Sequence, residues 1–248
     1  MIKKALVVGG TSGIGLSIAL KLSKMNYDKV YIVGRTLPIE PLNSNIEFIK
    51  FDLTKDDYSL FESYMDIDTL IISAGFGKVD LFSNITEEII IDSFKVNAIA
   101  PIRLIKIYYD KILKDLSFNC VVLSSISGFV SSPLFSVYAS TKASLNRFIE
   151  SVNIELEVLG SSNKILNVAP GYIKGTGFEG RLNNDVEATK ELAEEIITKM
   201  INKDDLYIPK YDEIYKDVLK RYNDNPYEFG LQSYNHKISS GRLKQKGF

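Results

Sequence analysis

Tyr138 and Lys142 stand four residues apart in the stretch Val137-Tyr138-Ala139-Ser140-Thr141-Lys142-Ala143. On a helix that spacing places both on one face. A phenol with an ordinary pKa of about 10 is a poor acid/base near neutrality. A nearby ammonium favours the phenolate and draws that value toward the working range. Ser125 follows an apolar, strand-forming run, and its hydroxyl can donate to a carbonyl oxygen. Asn97 lies in Phe94-Lys95-Val96-Asn97-Ala98-Ile99-Ala100-Pro101. An α-helix would take an N–H from residue 101 to the carbonyl of residue 97, and proline has none. A kink and a free Asn97 carbonyl are expected there, and that carbonyl can hold a water that relays protons to Lys142. Together the four residues suit proton exchange with a carbonyl/alcohol pair. Each alone also has a structural reading: a surface pair, a strand-to-loop cap, a packing kink.

A second feature is the glycine turn Gly9-Gly10-Thr11-Ser12-Gly13-Ile14-Gly15, between an apolar strand and an apolar helix. Free amides and the helix dipole make such a turn an anion site. Gly9 permits the tight turn, Gly13 lets a pyrophosphate approach, and Gly15 lets helix and strand pack closely. The next strand ends in Gly34-Arg35-Thr36 with no acid at its tip. An acid there would select a free ribose 2′-hydroxyl, whereas an arginine accommodates a 2′-phosphate. NADP(H) is therefore expected over NAD(H). Asp52, at the end of the third strand, is placed to accept from the adenine amino group or, equally, to hold a turn.

These residues need a frame that brings strand ends together. Short apolar runs at 5–8, 30–33, 46–51, 69–73, 120–124, 165–168 and 206–208 alternate with helical stretches at 14–25, 58–64, 87–116, 137–159 and 187–201. Continuous apolar strands suit burial on both faces. The alternation predicts an α/β, doubly wound, Rossmann-type parallel sheet of about seven strands flanked by helices. One domain over 1–248 is expected, with a C-terminal extension from about 210. Residues 212–222 are helix-compatible, and no acid follows Glu228.

Bulk properties exclude several alternatives. The chain has 248 residues, 45% of them hydrophobic, and a net charge of −1, so no global field attracts nucleic acid or acidic membranes. One cysteine, Cys120, and one histidine, His236, rule out an internal disulfide and a Cys/His zinc site. No G-x-S-x-G elbow is present, which argues against a serine hydrolase. The N-terminus has no signal-like segment, and a cytoplasmic protein is expected.

The ordered set Gly9, Gly13, Gly15, Asp52, Ala74-Gly75, Asn97, Ser125, Tyr138, Lys142 and Pro170-Gly171 resembles the classical short-chain dehydrogenase/reductase family over about residues 3 to 209. The resemblance implies hydride transfer from C4 of a nicotinamide, without a metal, to or from a small-molecule carbonyl/alcohol. Tyr138 would be the acid/base, Ser125 would orient the carbonyl, Lys142 would hold the ribose, and Asn97 would complete a proton relay. Thr11, Ser12, Ile14, Arg35, Leu53, Ala74, Ile173 and Thr176 would join the glycines in holding the cofactor. A homodimer or homotetramer is expected, since apolar residues on 101–113 cover more than one buried stripe.

Departures from the family pattern are Ser73 in place of the usual asparagine before Ala74-Gly75, and a threonine displaced by one to Thr176. The glycine-rich segment 172–185 would cover the substrate. Residues 227–234 of the aromatic tail are expected to dock, on their own core or on a partner. The alternative reading is a dinucleotide-binding sensor without turnover.

Overall fold

A computed structural model describes residues 2–54, 57–115, 117–174, 176 and 185–240. Strands β1 (Lys4–Val8), β2 (Lys29–Gly34), β3 (Ile46–Lys50), β4 (Thr69–Ile72), β5 (Asn119–Leu123), β6 (Ile165–Val168) and β7 (Leu206–Tyr207) form one parallel sheet, in the order β3-β2-β1-β4-β5-β6-β7. Successive side chains of a strand point to opposite faces. Leu6 and Val8 of β1 thus enter one core cluster, and Ala5 and Val7 enter the other. The first cluster packs under α3 (Ala100–Ile107), α4 (Tyr109–Lys114) and α5 (Ser136–Val158). The second packs under α1 (Gly13–Leu22) and α6 (Val186–Ile201). Burial on both faces is why the central strands β1, β4, β5 and β6 read as largely apolar runs, whereas β3 at the edge exposes Glu47 and Lys50.

Several elements differ from expectation. Residues 59–64 form a 3-10 turn rather than an α-helix. The stretch 87–116 is not one helix. It divides into α2 (Glu87–Phe94), a π turn over Lys95–Ile99, then α3 and α4. The Ala100 amide donates to the Lys95 carbonyl, five residues back. Pro101 then falls in the first turn of α3, where a missing N–H costs little. The conflict posed by Pro101 is thus met by a π turn that contains Asn97, a device frequent at functional sites.

The apolar surplus on 101–113 is largely used within the chain. Leu104, Ile105, Tyr108 and Ile112 are buried in its own core. They therefore do not require a partner subunit.

Beyond β7 lie a π turn (Tyr211–Tyr215), α7 (Lys216–Asp224) and α8 (Pro226–Ser239). The tail docks on its own chain, as a helix. Asn225 caps α8, accepting from the Glu228 amide at 3.1 Å, and Pro226 occupies its first turn. Asn-Pro followed by an acid is a helix-start pattern that the sequence reading did not use.

Candidate active site

The sheet's carboxyl edge is shaped by close approaches that tolerate no side chain. Gly9 has a φ of +82°, and a Cβ there would sit 2.4 Å from the Ala74 amide. A Cβ on Gly15 would sit 2.2 Å from the Gly9 carbonyl oxygen. The glycine turn, α1 and the segment after β4 are thereby pressed together. Ser12 makes no side-chain capping bond, and the first turn of α1 carries no acid. That end of the helix suits an anion. Gly13, with a φ of +50°, faces Thr176, whose Cγ2 would lie 3.6 Å from a Cβ placed there. The displaced threonine therefore reaches the glycine turn. Its hydroxyl donates to the Ile173 carbonyl at 3.0 Å, and Ile173 packs against the core cluster under α1 and α6.

At the tip of β2, Thr11 packs so closely on Gly34 that a Cβ on Gly34 would meet Thr11 Oγ1 at 2.4 Å. Arg35 follows, exposed. Asp52 Oδ1 accepts from both the amide and the hydroxyl of Thr54, at 3.0 and 2.9 Å, across Leu53. This is the turn-holding role foreseen as the alternative for Asp52.

Four residues converge further along the edge. Asn97, Lys142, Ser125 and Tyr138 are all buried, at 0%, 3%, 6% and 8% exposure. Ser125 lies beside Tyr138, close enough to favour its phenolate. The Ser125 hydroxyl donates to the Pro170 carbonyl at 3.3 Å and accepts from the Ser127 amide at 3.1 Å. Lys142 Nζ donates to the Leu123 carbonyl at 2.9 Å and lies 5.7 Å from the centroid of the Tyr138 ring. A Cβ on Gly75 would lie 3.2 Å from Asn97 Oδ1 and 3.4 Å from Lys142 Nζ. The missing side chain at Gly75 thus keeps a gap between those two groups.

Asn97 works through its side chain as well as through its place in the π turn. Its Nδ2 donates to the Phe76 carbonyl at 2.8 Å and to Thr141 Oγ1 at 3.2 Å, while Oδ1 accepts from the Phe76 amide at 3.0 Å. The Thr141 hydroxyl donates in turn to the Tyr138 carbonyl at 2.7 Å. The segment after β4 is thereby tied to the helix that carries Tyr138.

The charge balance differs from the expected one. Burial raises Tyr138 to about 12, against the opposing effect of Ser125. Burial lowers Lys142 to about 8. The expected depression of the phenol by Lys142 is not found, and burial dominates at both groups. Neighbours that the sequence reading missed are Thr141, Phe76, Phe135, Tyr215 and Lys237. Phe135 stacks on Tyr138 with centroids 4.3 Å apart. Within the covering segment, residue 175 and residues 177–184 lie outside the described residues.

A parallel sheet with a glycine turn after its first strand and a buried Ser-Tyr-Lys-Asn set at its carboxyl edge defines a dinucleotide-fold oxidoreductase. The short chain dehydrogenase family model matches residues 3–187, and the chain belongs to that family. An uncharacterized oxidoreductase of Staphylococcus epidermidis is 28% identical over 189 residues, covering 72% of this chain and 81% of that protein. Two solved structures share the fold. A short chain dehydrogenase/reductase of Burkholderia phymatum in complex with NAD superposes with a TM-score of 0.75 at 12% identity, covering 91% of this chain and 96% of that one. A short-chain dehydrogenase of Sphingobium yanoikuyae in complex with NADPH gives 0.71 at 21% identity, covering 100% and 98%. Among the described residues, no helix is long and apolar enough to cross a membrane.

Proposed function

We propose that this oxidoreductase uses NADP(H), in preference to NAD(H), to interconvert a small-molecule carbonyl and its alcohol, with Tyr138 as general acid/base. The observation that carries the reading is the burial of Ser125, Tyr138, Lys142 and Asn97 together at the sheet's carboxyl edge, with Lys142 Nζ beside the Tyr138 ring and both Lys142 and Asn97 facing Gly75. The protein's own groups fit a dinucleotide. The glycine turn and the open end of α1 suit its pyrophosphate, Arg35 suits a ribose 2′-phosphate, and Lys142 reaches the gap left by Gly75. Asp52 and Leu53 border the adenosine side, while Ala74, Pro170, Gly171, Ile173 and Thr176 border the other half. When bound, the nicotinamide supplies or accepts the hydride.

In the reducing direction, the Ser125 hydroxyl donates to the substrate oxygen and fixes its position. The Tyr138 hydroxyl gives that oxygen a proton as negative charge develops on it. Lys142 stabilises the resulting phenolate, and Asn97 holds the polar path beside Lys142. Oxidation runs the same steps backwards. The presence of all four groups counts against a binding protein without turnover.

NADPH oxidation measured over a panel of ketones, aldehydes, sugars and acyl thioesters tests the reading. Turnover with at least one carbonyl class is expected, whereas NADPH binding with no turnover on any would favour the sensor alternative. A homodimer or homotetramer remains part of the proposal. Exposed Ile91, Ile99, Ile154 and Val158 on α2, the π turn and α5 are the apolar residues open to a mate. Light scattering at micromolar concentration decides it, and a monomer mass would end it.

A further inference from the structure

The turn that leads into α5 is held from behind by the C-terminal helix. Ser132 to Phe135 form a tight turn, with the Phe135 amide donating to the Ser132 carbonyl at 3.0 Å. Leu134 within it has a φ of +65°, a left-handed conformation that residues with a bulky side chain rarely adopt. Such a residue persists only where its surroundings over-determine it. One restraint is the Asp80 amide, which donates to the Leu134 carbonyl at 2.9 Å. The other comes from α8. Lys237 is buried at 8% exposure, and its Nζ donates to Ser132 Oγ and to the Pro133 carbonyl, both at 2.8 Å, and to Ser233 Oγ at 3.3 Å. Gly230, two helical turns earlier on the same face, lets α8 approach the same turn. A Cβ on Gly230 would lie 3.3 Å from Ser131 Oγ and 3.9 Å from Pro133.

What the turn delivers is Phe135. Its ring stacks on Tyr138 at 4.3 Å with the planes 27° apart, and its carbonyl accepts from the Ala139 amide at 2.9 Å. A lysine loses much rotamer freedom when buried, and it is rarely buried in this way without a task. Ordinary packing of a terminal helix needs only apolar contacts. Here two of the ammonium's three hydrogen bonds are aimed at adjacent residues of one turn.

We infer that Lys237 is a positioning residue: through Ser132 and Pro133 it fixes the turn that stacks Phe135 on Tyr138, and so makes the C-terminal helix part of the catalytic apparatus. The inference rests on the acid/base reading of Tyr138. Lys237 acts by holding the wall of the phenol's pocket. When that wall loosens, the phenol shifts and water reaches it.

The test compares Lys237→Met, Lys237→Arg, Ser132→Ala, Phe135→Leu and the Lys237→Met/Phe135→Leu double variant in the full chain. Each is assayed with NADPH and the best carbonyl from the panel, with Tyr138→Phe as control. The measurements are kcat, KM, the pH profile of kcat, the Kd for NADPH by nicotinamide fluorescence, and the melting temperature. Lys237→Met is expected to lower kcat by about tenfold or more, the scale of a misplaced catalytic group, with the NADPH Kd within about twofold. The basic limb of its pH profile moves to lower pH as water reaches the phenol. The double variant is expected to be no slower than the worse single variant, because both act on one stack. Lys237→Arg restores part of the rate, and Ser132→Ala lowers kcat in the same direction.

An unchanged kcat and pH profile in Lys237→Met, with only the melting temperature lowered, would overturn the inference. So would additive effects in the double variant. If Lys237→Met does not fold, Ser132→Ala decides on the same criteria. Should Tyr138→Phe itself retain activity, the acid/base reading fails. Loss of activity in Tyr138→Phe with full kcat in Lys237→Met and Ser132→Ala rejects the positioning role alone.

Discussion

Lys142 donates its Nζ to the Leu123 carbonyl at 2.9 Å, one helical turn beyond Tyr138, whose ring centroid lies 5.7 Å away. The amine is thus held against the end of β5, under the phenol it serves. Burial lowers it from 10.5 to about 8. Below pH 8 the folded and unfolded chains both carry its proton, and the cost of burying the charge is fully present. Between pH 8 and 10.5 the unfolded chain binds more protons at this site, so its contribution to stability rises with pH. Above 10.5 the rise stops. Tyr138, raised from 10 to about 12, acts in the opposite sense, and only above pH 10.

Lys142→Met should therefore be more stable than the parent at pH 7, although turnover is lost. The gap should narrow between pH 8 and 10. Each tenfold change in the amine's proton affinity corresponds to about 1.4 kcal/mol, which puts the effect at a few kcal/mol at most. Urea unfolding at a series of pH values, without added dinucleotide, measures it. Stability curves that run parallel at all pH values would show that burial does not hold Lys142 down.

Gly171 and Tyr215 form a second contact between the extension and the site. A Cβ on Gly171 would lie 1.5 Å from the Tyr215 hydroxyl oxygen and 2.4 Å from the ring carbon that bears it. Gly171→Ala must displace the whole tyrosine ring, which packs beside Ile126, Ala169 and Ile208. A loss of about 1–3 kcal/mol is expected, as for overpacking elsewhere. Tyr215→Ala should cancel most of the added cost in a double-mutant cycle. Additive losses would mean that the two positions do not meet.

The proposed choice of cofactor rests on the tip of β2. Arg35→Asp is expected to lower kcat/KM with NADPH by at least about tenfold, because a guanidinium–phosphate contact is exchanged for a repulsion. NADH kcat/KM should stay level or rise. An unmutated enzyme that already prefers NADH would contradict the assignment of Arg35.

The sheet was legible because each strand is a short apolar run and each crossover a longer periodic one, as with Ala5–Val8 followed by Ile14 and its neighbours. The grouping of Asn97, Ser125, Tyr138 and Lys142 was legible from order and spacing. Less legible was anything that depends on packing between distant segments. Thr141 looks like a helix-surface residue until Asn97 is found against it. The single long helix expected over 87–116 failed at Pro101, where a proline signals an irregularity without specifying its form. The aromatic tail was expected to dock, and it does so with Phe229 against Tyr222 and with Gly230 and Lys237 against the turn before α5, while Tyr227 stays exposed. A buried lysine gives no periodic signal, and the turn it binds lies more than 100 residues away in the chain. The opposed shifts of Tyr138 and Lys142 depend on burial, which spacing alone does not report.

The central claim is that the Tyr138 hydroxyl exchanges the substrate proton, and Tyr138→Phe tests it most directly. The ring that stacks on Phe135 is kept, and only the oxygen is removed. Single-turnover reduction of the best carbonyl by bound NADPH should slow by about 10²–10⁴-fold, the usual worth of a positioned acid/base. The Kd for NADPH, read by nicotinamide fluorescence, should remain within a few fold. A rate above about a tenth of the parent's, with NADPH bound normally, would remove Tyr138 from the chemistry and contradict the account.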